Sequence, residues 1–160
     1  MGVEAHDRAR SGARRSRGVR DMSAFVFAVA AAVVREGRVL AMRRAAHKDA
    51  GAGLWETVSG RVAPDEQPLD AIAREIAEET GLDVEVDARP VDSYVARRGQ
   101  APMCVVFYRA RWRGGEVQRS DEHDAHRWVS ADELEALGSP PRLVEAVRLA
   151  LRVESQSATS

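Results

Sequence analysis

GRVAPDEQPLDAIAREIAEETGL, residues 60–82, decides how the rest of the chain is read. Nine positions in these 23 residues carry the pattern: Gly60, Glu66, Arg74-Glu75-Ile76, Glu78-Glu79 and Gly81-Leu82. Most of the stretch predicts a single helix. Asp65 and Glu66 precede Pro68, which suits an early helical position, where an N–H would have no intrahelical partner. Leu69, Ile72, Ala73, Ile76 and Ala77 then recur at i, i+3, i+4, i+7 and i+8, a stripe that predicts a core-facing side. Gly81 stops the helix, because glycine adopts the left-handed cap conformation without a Cβ clash.

At roughly 100° per residue, Glu75, Glu78 and Glu79 fall within a wedge of about 100° on the side away from Leu69. Glutamates one turn apart repel by a few tenths of a kcal/mol per pair. These also lie in the last turns, where the helix dipole is negative, at a further cost of roughly 0.3–1 kcal/mol per charge. Arg74, one turn before Glu78, can hold that carboxylate in place. A merely solvated acidic face does not account for the wrong sign repeated three times at the wrong end. A divalent cation held among the carboxylates does, and a diphosphate is the substrate such an ion serves.

With those residues quoted, the stretch resembles the signature box of the Nudix hydrolases at every constrained position, and Leu54-Trp55-Glu56 is similar to its usual lead-in. The similarity extends from Ala24 to about Arg152. It implies an α/β/α sandwich with a central mixed β-sheet, and Mg²⁺- or Mn²⁺-dependent hydrolysis of a nucleoside diphosphate linked to another group. By position it implies Glu75, Glu78 and Glu79 as metal ligands, Arg74 and Glu66 as residues that orient the site, and Gly60 as the start of the loop ahead of the catalytic helix. Glu122, six residues before Trp128, resembles the extra acidic residue that many family members supply from a facing loop; a plain polar loop is the alternative. Family members often read Pro-Gly-Gly where this chain has Val58-Ser59-Gly60. The loop is therefore expected to turn on Gly60 alone or to strain Ser59 modestly, and the Ser59 carbonyl can still reach a metal.

The chemistry asks for the same residue types. A diphosphate bridge repels water; hard cations with oxygen ligands neutralise it and acidify a bound water, and a carboxylate removes the proton. Glu78 or Glu79 would bridge metals, with Glu79 or Glu122 as the base. Arg43, Arg44 and Trp55 are candidates for substrate contact, since arginine grips phosphate in bidentate fashion and an aromatic ring stacks on a base; Tyr94, Arg97 and Arg98 lie in segments that could border the same pocket. Two other readings share the fold. A non-catalytic nucleotide sensor would have lost a box glutamate, and isoprenoid diphosphate isomerases lack so complete a box.

Composition fits one domain. At 160 residues and 44% hydrophobic content the chain buries a substantial core, and a net charge of −1 exerts no pull toward nucleic acid or membrane. The single cysteine, Cys104, has no internal disulfide partner and is expected as a buried strand thiol. With no secretion signal or membrane span to be read, a cytoplasmic monomer or homodimer acting on a small-molecule nucleotide, with no specific nucleic acid partner, is the expectation. Lys48 is the only lysine, a skew that fits genomic base composition. Residues 1–21 read as a disordered basic tail, 22–153 as the catalytic domain and 154–160 as a flexible tail. Strands are expected over 24–34, 38–42, 83–86, 90–96 and 102–112. Ser130 and Glu133 form a capping box that opens a helix, and a second helix follows Pro140-Pro141 with Leu143, Val144, Val147 and Leu151 inward.

Overall fold

The apolar run at the start of the domain forms β1 (Val26–Arg35), which reverses through Glu36 and Gly37, with φ of 51° and 74°, into β2 (Arg38–Arg44). Two left-handed residues in succession match the twist of a tight hairpin. β3 (Trp55–Glu56) and β4 (Val58–Arg61) lead into helix α1 (Pro68–Thr80). There follow β5 (Asp83–Val86), β6 (Asp92–Arg98), β7 (Ala101–Gly114), β8 (His123–Val129), α2 (Ala131–Ala136) and α3 (Pro141–Ser157). The computed structural model describes residues 25–48 and 50–157. The tail expected over 1–21 and residues 158–160 lie outside them. Residues 154–157, expected as a loose tail, are helical.

The eight strands make one mixed sheet. β1 runs parallel to β7, from Val26 opposite Met103 to Val34 opposite Arg111, and antiparallel to both β2 and β4. β8 extends the sheet beyond β2, while β5 and β6 both pair antiparallel with β7. β1 is covered on both faces, which explains its unbroken apolar sequence. Ala28, Ala30, Ala32 and Val34 face the side of α2 and α3, against Leu134, Val144, Val147 and Phe107. Val29, Ala31 and Val33 face α1, with Leu40, Met42, Val58, Ile72 and Ile76. The architecture is the expected sandwich. Ser130 and Glu133 cap α2 reciprocally, the Glu133 N–H donating to Ser130 Oγ at 3.1 Å and the Ser130 N–H to Glu133 Oε2 at 2.8 Å.

Two further expectations change. Cys104 is only half-buried in β7. More consequentially, α1 buries Ala71, Ile72, Ile76, Glu79 and Thr80, while Ala73 and Ala77 are exposed. The inward face is thus turned by roughly 60° from the apolar stripe, toward the glutamates. Alanines contribute little when buried, so Ile72 and Ile76 set the rotation and carry Glu79 inward with them.

Glu36 is the only non-glycine with positive φ among the described residues. A left-handed residue with a Cβ costs about 1–2 kcal/mol, and asparagine before glycine tolerates that turn better. Glu36→Asn should therefore raise the denaturant midpoint by about 1 kcal/mol of stability, and an unchanged midpoint would argue against strain in the hairpin.

Candidate active site

Helix α1 has no side-chain cap at Gln67, begins with Pro68, and ends at Gly81, whose φ of 64° lets its N–H return to the Ala77 carbonyl. This short, fully specified helix presents its acids beside β4. Arg74 is the hub. Its Nε and Nη2 donate to Glu66 Oε1 and Oε2 at 2.7 and 2.9 Å, and Nη2 also reaches the Arg61 carbonyl at 3.1 Å. Nη1 donates to Glu75 at 2.7 Å and to Glu78 at 3.3 Å. The bidentate Arg74 pairing, together with the Ala63 N–H, holds the Glu66 carboxyl down to about 2. Arg74 thus ties the loop before the helix to the helix itself.

Gly60 has a different purpose from the one expected. It lies within β4 opposite Val29, without positive φ, and Ser59 beside it is unstrained. Cross-strand pairing puts Ser59 on the face of Ala30 and Gly60 on the face of Val29, toward α1. A Cβ on Gly60 would stand 2.0 Å from Glu75 Cδ. Glycine is needed there so that the Glu75 carboxylate can lie across the strand.

The acids then divide by environment. Glu78 is exposed. Glu75 is half-buried, and its pKa is raised by burial against the opposing pull of Arg74. Glu79 is 4% exposed, and its Oε2 has no hydrogen-bond partner. Burial, followed by the charges of Glu75, Glu56 and Glu122, pushes it up to about 9, although the Ser59 N–H offers it a hydrogen bond. Glu122 lies where its charge bears on both Glu75 and Glu79; the Lys48 ammonium at 2.7 Å holds its own pKa below the ordinary value. The Ala45 N–H donates to the Glu122 carbonyl at 2.9 Å and fixes that loop against the end of β2.

Alternation along β2 separates the two candidate arginines. Arg44 donates to Glu56 at 3.1 Å and to the Ala50 carbonyl at 2.9 Å, beside the acids. Arg43 pairs with Asp124 at 2.6 Å and lies over the ring of Trp55, which is buried beneath Arg43 and Arg127. Arg43 and Trp55 therefore stand apart from the acid group, Trp55 in the core on the α3 side and Arg43 half-exposed above it. Three neighbours of the acids have no expected site role: Glu56, His123, whose Nε2 meets Glu56 at 3.2 Å, and Lys48. Glu56 follows the core residue Trp55 in β3 and is brought to the acids by pairing opposite Met42, which local spacing does not reveal.

A cavity of about 520 Å³ opens on the other face of the sheet and reaches Ser59 and Gly60. Its walls include Ala28, Ala30, Tyr94, Met103 and Leu143, with Arg44 and Arg98 also among its lining.

The matched model of the NUDIX domain spans residues 24–149. The chain belongs to the Nudix family. A MutT-like protein of Streptomyces ambofaciens is 39% identical over 107 residues, covering 66% of this chain and 64% of the relative, slightly under two thirds of its length. The CTP pyrophosphohydrolase of Escherichia coli K12 is 33% identical over 108 residues, covering 66% of this chain and 76% of that protein. The solved MutT protein of Methanosarcina mazei shares the fold, with a TM-score of 0.71 at 23% identity over 81% of this chain and 95% of that one. No helix among the described residues is long and apolar enough to cross a membrane.

Nudix hydrolases generally need divalent metal ions. Among the described residues, no three His, Cys, Asp or Glu side chains are gathered closely enough to hold one as they stand. Glu75 is drawn to Arg74 and Glu122 to Lys48. The donor set nevertheless fits a hard cation: carboxylate oxygens only, one of them on Glu79 buried and unpartnered beside three other acids.

Two outcomes follow for this site. Because the folded state holds the Glu79 proton more tightly than the unfolded chain, its contribution to stability is complete below the ordinary value of 4.5 and is lost as pH rises toward about 9. In chelator-treated buffer the melting temperature should fall between pH 5.5 and 9, and Glu79→Gln should flatten that fall and melt above wild type at pH 8.5. Parallel curves for the two proteins would refute the buried-charge account. Gly60→Ala should weaken divalent-cation binding roughly tenfold or more by displacing Glu75. Unchanged affinity in a calorimetric titration would refute a role for Glu75 in cation binding.

Proposed function

We propose that residues 22–153 form a Mg²⁺- or Mn²⁺-dependent pyrophosphohydrolase that cleaves the diphosphate linkage of a nucleoside triphosphate or nucleoside diphosphate derivative. The observation that carries the reading is Glu79, a buried carboxyl group whose Oε2 has no partner and which sits among Glu75, Glu56 and Glu122. Such a group is tolerable in an enzyme that binds cations and wasteful in one that does not. Glu75, Glu78 and Glu79 would hold the metal, with the Ser59 carbonyl available beside them. A bound divalent ion supplies Lewis acidity, neutralising the diphosphate and making water a better nucleophile.

The chain's own residues perform the rest. Arg74 keeps Glu75 and Glu78 oriented through its anchor on Glu66. Glu122, ionised at neutral pH beside Lys48, is available to take the proton of the attacking water, as would be Glu79 in its ionised form. Water oxygen bonds to phosphorus, the phosphoanhydride P–O bond breaks, and the departing phosphate carries the electron pair. Arg44, beside the acids and on the cavity wall, would receive a phosphate oxygen, and the apolar part of the cavity around Ala28, Ala30 and Met103 suits the nucleoside. The name of the Escherichia coli relative supports nucleoside triphosphates as the first substrates to try.

The test is a panel of nucleoside triphosphates, nucleoside diphosphate sugars and dinucleoside polyphosphates, with and without Mg²⁺, with product identification. Turnover should require the cation. Glu78→Gln, at an exposed position, should lower kcat by roughly a hundredfold or more without moving the melting temperature. Full activity in that variant would refute its role as a ligand. A nucleotide bound tightly and never hydrolysed would favour a sensor.

A further inference from the structure

Thr57 stands between β3 and β4, is 1% exposed, and its Oγ1 has no hydrogen-bond partner. A hydroxyl carries one donor and two acceptor positions, and burying it unpaired is costly, whereas valine would fill the same volume without that penalty. Trp55 packs in the core on the α3 side, Val58 in the core on the α1 side, and Ser59 lies opposite Ala30 on the α3 side. Alternation therefore sends the Thr57 side chain to the α3 side, where it lines the 520 Å³ cavity.

The remaining wall combines apolar side chains with Glu56 and the arginines Arg44, Arg61, Arg97, Arg98 and Arg142. Ala28, Ala30, Met103 and Val105 line it, and Tyr94 forms one side. The Tyr94 ring is held by the Arg142 guanidinium, 4.8 Å from its centroid, and Arg142 in turn pairs with Asp92 at 2.7 Å. A planar heterocycle matches this surface, and its polar edge would find in Thr57 the partner that the protein does not supply. Ser59 and Gly60 line the same cavity two and three residues further along the chain, so a ligand reaching Thr57 with its base can reach the acid group with its phosphates.

We propose that Thr57 is a specificity-determining residue whose hydroxyl hydrogen-bonds a polar edge atom of the substrate's nucleobase. The proposal rests on the nucleotide reading above and adds to it a single contact that discriminates between bases. Losing an uncharged hydrogen bond of this kind is worth about three- to tenfold in kcat/KM.

The experiment measures kcat and KM of the full chain and of Thr57→Val, Thr57→Ala and Thr57→Ser for nucleoside triphosphates differing only in the base. In Thr57→Val, KM for the preferred nucleotide should rise about three- to tenfold and the ranking of bases should flatten, while Thr57→Ser should keep the wild-type ranking. Thr57→Ala carries the same expectation if the valine variant does not fold. An unchanged ranking, or an equal loss on every base, would overturn the proposal and leave the hydroxyl a partner of buried water. If wild type hydrolyses nothing, the enzymatic reading fails separately, and calorimetric titration of the same nucleotides decides here. A base-dependent loss of affinity in Thr57→Val would support the contact; equal affinities, or no binding, would overturn it.

Discussion

Glu79 occupies a position where a helix packed on a sheet ordinarily places a hydrocarbon side chain. Its burial is a standing electrostatic cost, and the surrounding structure is arranged around that cost without removing it. Ile72 and Ile76 pack against Val29, Val33 and Leu40 and fix the rotation of α1, so the carboxylate cannot swing outward without lifting the isoleucines from the core. Glu75, Glu56 and Glu122 raise the same proton affinity further. A hydrocarbon at position 79 would satisfy the fold better, and this local conflict between stability and sequence is the mark of a functional position.

Arg74 shows how the conflict is contained. A single guanidinium serves Glu66, Glu75, Glu78 and the Arg61 carbonyl, and so neutralises the outer part of the acid group while leaving its inner member alone. Lys48 does the same for Glu122 from the opposite loop. Two cations thus hold the acids that lie near solvent, and Glu79 keeps the charge deficit that a bound ion would relieve. Gly60 contributes by absence of a side chain, since the space a Cβ would fill is taken by the Glu75 carboxylate.

What could be read from sequence was local, and what escaped was long-range. Pro68, Gly81 and the Ser130–Glu133 pair act within one helical turn, so their effects follow from residue type alone. The hairpin of β1 and β2 is equally local. The rotation of α1 was misjudged because Ala73 and Ala77 count as apolar in a periodicity yet gain little from burial. β3, β4 and β8 carry too little alternating apolar sequence to announce themselves, and only pairing with β1 and β2 makes them strands. Glu56 and Lys48 come to the acids across 12 and 74 residues of chain, through Arg44 and Glu122 respectively, and no spacing rule reaches that far. The direction of Gly60 was hidden for the same reason: its neighbour Glu75 is close in space and not in the strand.

β4 gathers these threads. It pairs with β1 along Val58–Arg61, and the period of two sends successive side chains to opposite faces of one sheet. Gly60 and Val58 address α1, where the acids and a hard cation's preferences rule. Ser59 addresses the α3 side, where apolar side chains and Tyr94 line the cavity together with Arg97, Arg98 and Arg142. A nucleotide has the same division, an anionic diphosphate joined to a flat, weakly polar base, and it is long enough to cross the edge of a strand. The break between β3 and β4 at Thr57 falls where those two environments meet, so the choice of residue there bears on which base is accepted and leaves the acid group untouched. Hydrolysis and selectivity can then vary independently within the same few residues of backbone.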